Sequence, residues 1–148
     1  TVLDIAREAL DETRRRVGAD GAGIGWIEGD VTALDLPVAR YALWHDRAVF
    51  HFLVDDGDRA RYAAAMARAV RGGGYALVAT FAPHGPERCS GLPVCRYDAA
   101  ALAAAFAPAF EPCAHGEDLH HTPWGDAQAF THVLLRRLDT GESKEQRC

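Results

Sequence analysis

Tyr41-Ala42-Leu43-Trp44-His45-Asp46-Arg47-Ala48-Val49-Phe50-His51-Phe52-Leu53-Val54-Asp55-Asp56 is the stretch on which the reading of the fold turns. Its first four residues are an apolar run, short enough for a buried strand. Three polar residues, His45, Asp46 and Arg47, then break the run. Apolar residues resume at Ala48, Val49, Phe50, Phe52 and Leu53, with His51 among them. In an open α/β sheet, ligands bind beyond the carboxyl ends of the strands. A strand over residues 41–44 that ends in His-Asp-Arg therefore sets titratable groups where chemistry belongs.

Toward the amino end, residues 1–5 read as a strand with an acid, Asp4, near its carboxyl end. Ala6, Leu10, Thr13 and Val17 fall on one helical stripe, and Gly18 ends that helix. Residues 24–28 form a second short strand, followed by Gly29-Asp30. Residues 36–38 connect it to the stretch quoted above. Gly21-Ala22-Gly23-Ile24-Gly25 matches a glycine-rich nucleotide loop by letter only. The glycines of such a loop must follow a strand and open a helix, so that backbone N–H groups face the ligand. Here they follow a helix and enter a strand.

Toward the carboxyl end, Asp55, Asp56 and Asp58 suit the positive end of a helix dipole and open a long alanine-rich helix. It runs to about Arg71, and Gly72-Gly73-Gly74 terminate it. Residues 75–81 are the fourth strand. Residues 82–96 form a loop with three prolines and two glycines. Asp98 caps a helix through Phe106, stopped by Pro108. Strands are expected at 110–114 and 128–136. Alternation of strands and helices indicates a parallel sheet with helices on both faces, and the last two strands suggest an antiparallel finish.

The 148 residues suit one domain, here 1–137 with a polar tail over 138–148. Hydrophobic residues make up 49% and charged residues 25%, enough for a core and too few charges for a disordered chain. A net charge of −5 without a long basic run argues against nucleic acid. Arg14-Arg15-Arg16 fits the solvated face of a helix. Cys89, Cys95, Cys113 and Cys148 include no Cys-x-x-Cys pair, so no metal site is expected, and a reducing cytoplasm is. No apolar run reaches membrane-spanning length and no signal peptide is visible.

The order strand-Asp-helix, strand-Gly-Asp, strand-Trp-His-Asp-Arg, helix-Gly-Gly, strand resembles a class I S-adenosylmethionine-dependent methyltransferase over nearly all of residues 1–137. The runs 44–53, 88–94 (Arg-Cys-Ser-Gly-Leu-Pro-Val) and 121–125 (His-Thr-Pro-Trp-Gly) resemble a bacterial branch of small-molecule type. The resemblance implies a Rossmann-like α/β sheet, mostly parallel with an antiparallel C-terminal strand, and S-adenosylmethionine as cofactor. Asp4 stands where the family's acid accepts both ribose hydroxyls, with Ile5 beside it at the cofactor. Asp30 stands where the adenine amino group is taken, and Val31 offers a backbone N–H to a ring nitrogen. The plainer alternatives are a helix cap for Asp4 and a turn aspartate for Asp30.

The resemblance places His45 at the mouth of the site. There it takes the acceptor's proton, or contributes a backbone carbonyl and shapes the pocket. Asp46 orients His45 or binds substrate. Arg47 pairs with Asp46 or Asp55, and His51 packs or caps on the following helix. Cys89, His120 and His121 read as loop residues before they read as ligands for a soft metal. Phe81 and Trp124 wall an apolar substrate pocket or belong to the core.

The family's first strand and glycine-rich loop have no counterpart here, so the sequence leads to the expectation of a longer protein with a βα unit of roughly 30 or more residues upstream. In the family, that strand lies between the strand that bears Asp4 and the strand that ends in His45. The function expected is methyl transfer to a small-molecule acceptor. The alternatives are a non-catalytic remnant of the fold acting by binding or assembly, and an oxidoreductase holding NAD ribose on Asp4.

Overall fold

The computed structural model describes residues 1–139; of the expected tail, residues 140–148 lie outside the described residues. The described chain forms two compact units, Thr1–Asp35 and the part from Leu36 onward.

In the first unit, strand β1 (Val2–Asp4) and strand β2 (Trp26–Glu28) pair in parallel, with Asp4 opposite Glu28. Helix α1 (Arg7–Val17) joins them. Its one buried residue, Leu10, lies on the predicted stripe. Gly18 ends the helix at φ 58, the left-handed region that a Cβ disfavours. Arg14, Arg15 and Arg16 fill its last turn, where cations suit the dipole. Arg15 and Arg16 pair with Glu12, and Arg14 lies 4.9 Å over the Trp26 ring. The basic run is thus committed inside its own unit.

The second unit is a four-stranded sheet. Strand β3 (Tyr41–Arg47), β4 (Val70–Phe81), β7 (Phe110–His121) and β8 (Ala127–Arg137) lie in the order β3-β4-β8-β7. β3 and β4 are parallel, and β8 runs antiparallel to both β4 and β7. Only the last strand is reversed, as expected. Helix α2 (Asp56–Ala69) connects β3 to β4. Asp55 caps α2 by accepting from the Gly57 and Asp58 N–H groups at 2.8 and 3.2 Å. Helix α3 (Ala99–Ala104) precedes β7, capped by Asp98.

Several boundaries differ from expectation, each for a backbone reason. β3 does not stop at Trp44, because Leu77, Val78 and Ala79 of β4 stand opposite His45, Asp46 and Arg47 and continue the ladder. Gly72-Gly73-Gly74 do not end α2, which stops at Ala69. They form an excursion within β4, between the pairs Tyr41–Val70 and Leu43–Tyr75. A Cβ on Gly74 would lie 2.9 Å from the Arg71 carbonyl and 3.0 Å from that of Ala42, so no side chain fits there. The 82–96 loop holds a small hairpin, β5 (Arg88–Cys89) and β6 (Leu92–Pro93), turned by Ser90 and Gly91 at φ 49 and 78. α3 ends before Phe106. β7 extends past Ala114 to His121, so His120 and His121 are strand residues opposite Gln128 and Ala127.

The core of this unit is aromatic. Phe50, Tyr62 and Phe106 are fully or almost fully buried, with the Phe50 ring 5.1 Å from Tyr62 and 4.8 Å from Phe106. His51 is buried too, in a short 3-10 turn (Phe50–Phe52), packed 4.7 Å from the Phe81 ring and 4.6 Å from Phe52. Neither ring nitrogen has a hydrogen-bond partner among the described residues. Burial alone lowers its pKa from 6.5 to about 4. The unfolded chain therefore binds a proton that the folded chain refuses. Stability from this site is complete above about pH 6.5 and is lost as pH falls toward 4, by as much as about 3 kcal/mol. We expect the denaturation midpoint of the wild type to drop more steeply over that range than that of His51→Leu. Parallel pH profiles would remove His51 as the cause.

Candidate functional site

Asp4 is the last residue of β1 and is half-buried. Its Oδ1 accepts the Ala6 N–H at 2.8 Å, which holds the turn into α1. Its Oδ2 has no partner among the described residues. One oxygen thus does the work of a cap, and the other is left to a ligand. Ile5 next to it exposes 71% of its side chain. Asp30 lies two residues beyond the end of β2, on the neighbouring strand end. Its Oδ1 accepts both the Thr32 N–H and hydroxyl at 2.8 Å, and its carbonyl accepts the Ala33 and Leu34 N–H groups. That is the geometry of a turn aspartate. Val31 is buried in the same turn. The first unit therefore brings Asp4, Ile5, Asp30 and Val31 to the carboxyl ends of two paired parallel strands.

In the second unit, alternation along β3 sends adjacent side chains to opposite faces. Asp46 points into the core and is 4% exposed. Its carboxylate accepts the Tyr62 hydroxyl at 2.5 Å, the Phe50 N–H at 3.0 Å and the Val49 N–H at 2.8 Å. Tyr62 in turn accepts from the Trp44 indole N–H at 2.9 Å. This arrangement corrects the expected role. Asp46 is committed to Tyr62 and to the following turn, and does not reach across the strand to orient His45. Burial raises the Asp46 pKa, and the three donors and His45 oppose that rise. Burial and the adjacent carboxylate hold the Tyr62 phenol well above its ordinary range, so it stays a donor.

His45 and Arg47 lie on the other face, both exposed. Arg47 pairs with neither Asp46 nor Asp55, contrary to expectation, because the first is occupied by Tyr62 and the second caps α2. Its guanidinium lies 4.8 Å over the Phe130 ring. Ala48 follows at φ 68, unusual for a residue with a Cβ. It is pinned by its N–H bond to the Ala79 carbonyl at 2.9 Å and by the two Asp46 bonds just beyond it. Such backbone strain persists where surrounding bonds over-determine it.

Of the other candidates, Phe81 is core, 4.9 Å from Phe130, whereas Trp124 is 86% exposed in the turn between β7 and β8. Cys89 packs against the cluster of Ala79, Phe81 and Phe130. His120 stands 6.5 Å from the Phe130 ring. Among the described residues no group of His, Cys, Asp and Glu could hold a metal. The sequence reading did not single out Tyr62 or the His132–Asp118 pair, at 3.5 Å across β8 and β7. The signal for Tyr62 was its helical spacing with Met66 and Ala69, all buried on one face of α2.

Parallel strands joined by helices, with acids beyond the ends of β1 and β2, define an α/β class whose sheets carry ligands at the carboxyl ends of their strands. Sequence comparison narrows it. The sequence model described as a methyltransferase domain matches residues 1–74, half of the chain. The chain belongs to the class I S-adenosylmethionine-dependent methyltransferase family. No curated protein matches it by sequence. Among solved structures, it is similar to a protein from work on the conversion of a disulfide bond into a thioacetal group during echinomycin biosynthesis. That likeness has 20% identity and a TM-score of 0.74, over 92% of this chain and 66% of the other. It is also similar to the N-methyltransferase NodS from Bradyrhizobium japonicum, in complex with S-adenosyl-L-homocysteine, at 13% identity and TM-score 0.74, over 93% and 66%. A third is a Burkholderia thailandensis 1,6-didemethyltoxoflavin-N1-methyltransferase with its didemethyltoxoflavin and S-adenosylhomocysteine bound, at 19% identity and TM-score 0.67, over 93% and 60%. The chain thus spans about two thirds or less of the length of these three. At such identities they establish the fold.

The Asp46 network carries a prediction of its own. Tyr62→Phe deletes the hydroxyl that serves Asp46 and Trp44, leaving buried polar atoms short of a partner. It should cost about 1–3 kcal/mol in chemical denaturation. A loss near zero would mean that water replaces the hydroxyl and that Asp46 is not held by it.

Proposed function

We propose that this chain carries out S-adenosylmethionine-dependent methyl transfer to a small-molecule acceptor. The observation that carries the reading is the Asp4 carboxylate, fixed at the end of β1 through one oxygen, the other having no partner among the described residues. A carboxylate only accepts, which suits it to a pair of ribose hydroxyls. Asp30 and the Val31 N–H, at the end of the adjacent strand, are assigned to the adenine edge, and Ile5 to its face. The structural relatives crystallised with S-adenosylhomocysteine support this assignment by analogy of fold.

The cofactor supplies a methyl group on a sulfonium, and an acceptor nucleophile displaces it in line. The chain's part is to hold and to deprotonate. His45 is assigned the acceptor's proton, since it stands exposed near the carboxyl end of β3 and an imidazole nitrogen can accept a proton. Asp46 is assigned a positioning role: it fixes the carboxyl end of β3 from the buried face, on which the placement of His45 depends. A cytoplasmic location and the absence of nucleic acid and membrane partners complete the reading. Among the described residues no helix is long and apolar enough to cross a membrane.

Two substitutions test it. Asp4→Ala should weaken S-adenosylhomocysteine binding by about 1–3 kcal/mol in calorimetry. NAD, titrated in parallel, should give no heat. Binding of NAD in preference to S-adenosylhomocysteine would reassign Asp4 to a dinucleotide. His45→Ala should lower turnover more than it weakens cofactor binding, because a base acts on the acceptor. Equal loss in both would make His45 a residue that shapes the pocket.

A further inference from the structure

Arg47 is the last residue of β3, at the carboxyl end of a parallel strand, where this class of sheet binds ligands. Its guanidinium lies 4.8 Å over the Phe130 ring, its one side-chain interaction among the described residues. A ring face attracts the charge but offers no lone pair. Among the described residues the five N–H donors of the fork therefore have no acceptor, and no carboxylate lies within ion-pair distance. The two acids nearest in sequence are committed elsewhere, Asp46 to Tyr62 and Asp55 to the α2 cap. The ring itself is held by its neighbours, which sets the position of the guanidinium above it. Phe81 packs 4.9 Å away, His120 stands 6.5 Å from the same ring, and Cys89 of the β5–β6 hairpin packs against the cluster.

We propose that Arg47, held over Phe130, anchors an anionic group of the methyl acceptor, a carboxylate or comparable planar oxyanion. The proposal rests on the methyl-transfer reading for the name of its ligand, and on this geometry for its chemistry. A guanidinium fork matches two oxygens in one plane, which a neutral amide of the same shape cannot supply. The competing role is packing: the aliphatic stem of an arginine shields an aromatic ring without any ligand. Arg47→Met separates the two, since methionine keeps the stem and loses the donors.

The test uses the full chain, with benzoate as probe and benzamide as its neutral isostere, followed by NMR. Benzoate at low millimolar concentration should shift the Arg47 side-chain N–H and the resonances of Phe130 and His120. Benzamide should bind at least about fivefold more weakly, and so should benzoate to Arg47→Met. Added salt should weaken benzoate and leave benzamide unchanged, a comparison made on the wild type and independent of how the variant folds. Equal affinity for the two probes, an unaltered benzoate affinity in Arg47→Met, or no response to benzoate would each overturn the anchor. S-adenosylhomocysteine binding, measured separately, distinguishes the failures. Its absence with benzoate binding intact would strike the cofactor reading and spare the anion site.

Discussion

A carboxylate buried beside a phenol is the constraint on which the second unit depends. Asp46 could not be placed in an aromatic core as an isolated charge, because desolvation of an ion without partners costs far more than a small domain's stability. Its three donors make the placement possible. They also fix what lies around it. The Tyr62 bond ties α2 to β3. The Val49 and Phe50 bonds fold the chain sharply after Arg47, which holds Ala48 at its positive φ and drops Phe50 and His51 into the core. On the opposite face of the same strand, His45 and Arg47 are left exposed. The polarity of the His-Asp-Arg triplet is thus divided by the pleat into one structural residue and two that face outward.

Much of this architecture was legible in the sequence because it rests on local signals. Asp55, Asp98 and Gly18 mark helix ends by capping chemistry that operates within a few residues, and the structure uses all three. The alternation of strands and helices gave the parallel pairs, and the succession of the last two strands gave the reversed one. Legibility failed where pairing between distant segments decided the outcome. Residues 115–121 carry no apolar alternation and are mostly exposed, so nothing in them announces a strand. They are strand because the apolar β8 presents a ladder. In the same way, three glycines read as a helix stop, although the excursion they make is set by the approach of the Ala42 carbonyl from β3.

The candidate site was legible to a different degree. The positions of Asp4 and Asp30 beyond adjacent strand ends follow from element order alone. The division of labour within 45–47 does not, because it depends on which residue finds Tyr62, sixteen positions away along the chain. A sequence pattern can show that titratable groups gather at a strand end. Only packing decides which of them the core consumes.

The exposed edge strand β7 has a consequence for the protein's behaviour in solution. It is twelve residues long and lies at the margin of the sheet, where open N–H and C=O groups invite pairing with other chains. Its sequence works against that. Pro112 lacks a donor and coincides with an irregularity in the pairing to β8, and Glu117 and Asp118 set negative charge along the strand. Two copies meeting edge to edge would oppose like charges, and the chain's net charge of −5 adds to the repulsion. Salt screens that repulsion, so rising ionic strength should favour self-association through β7.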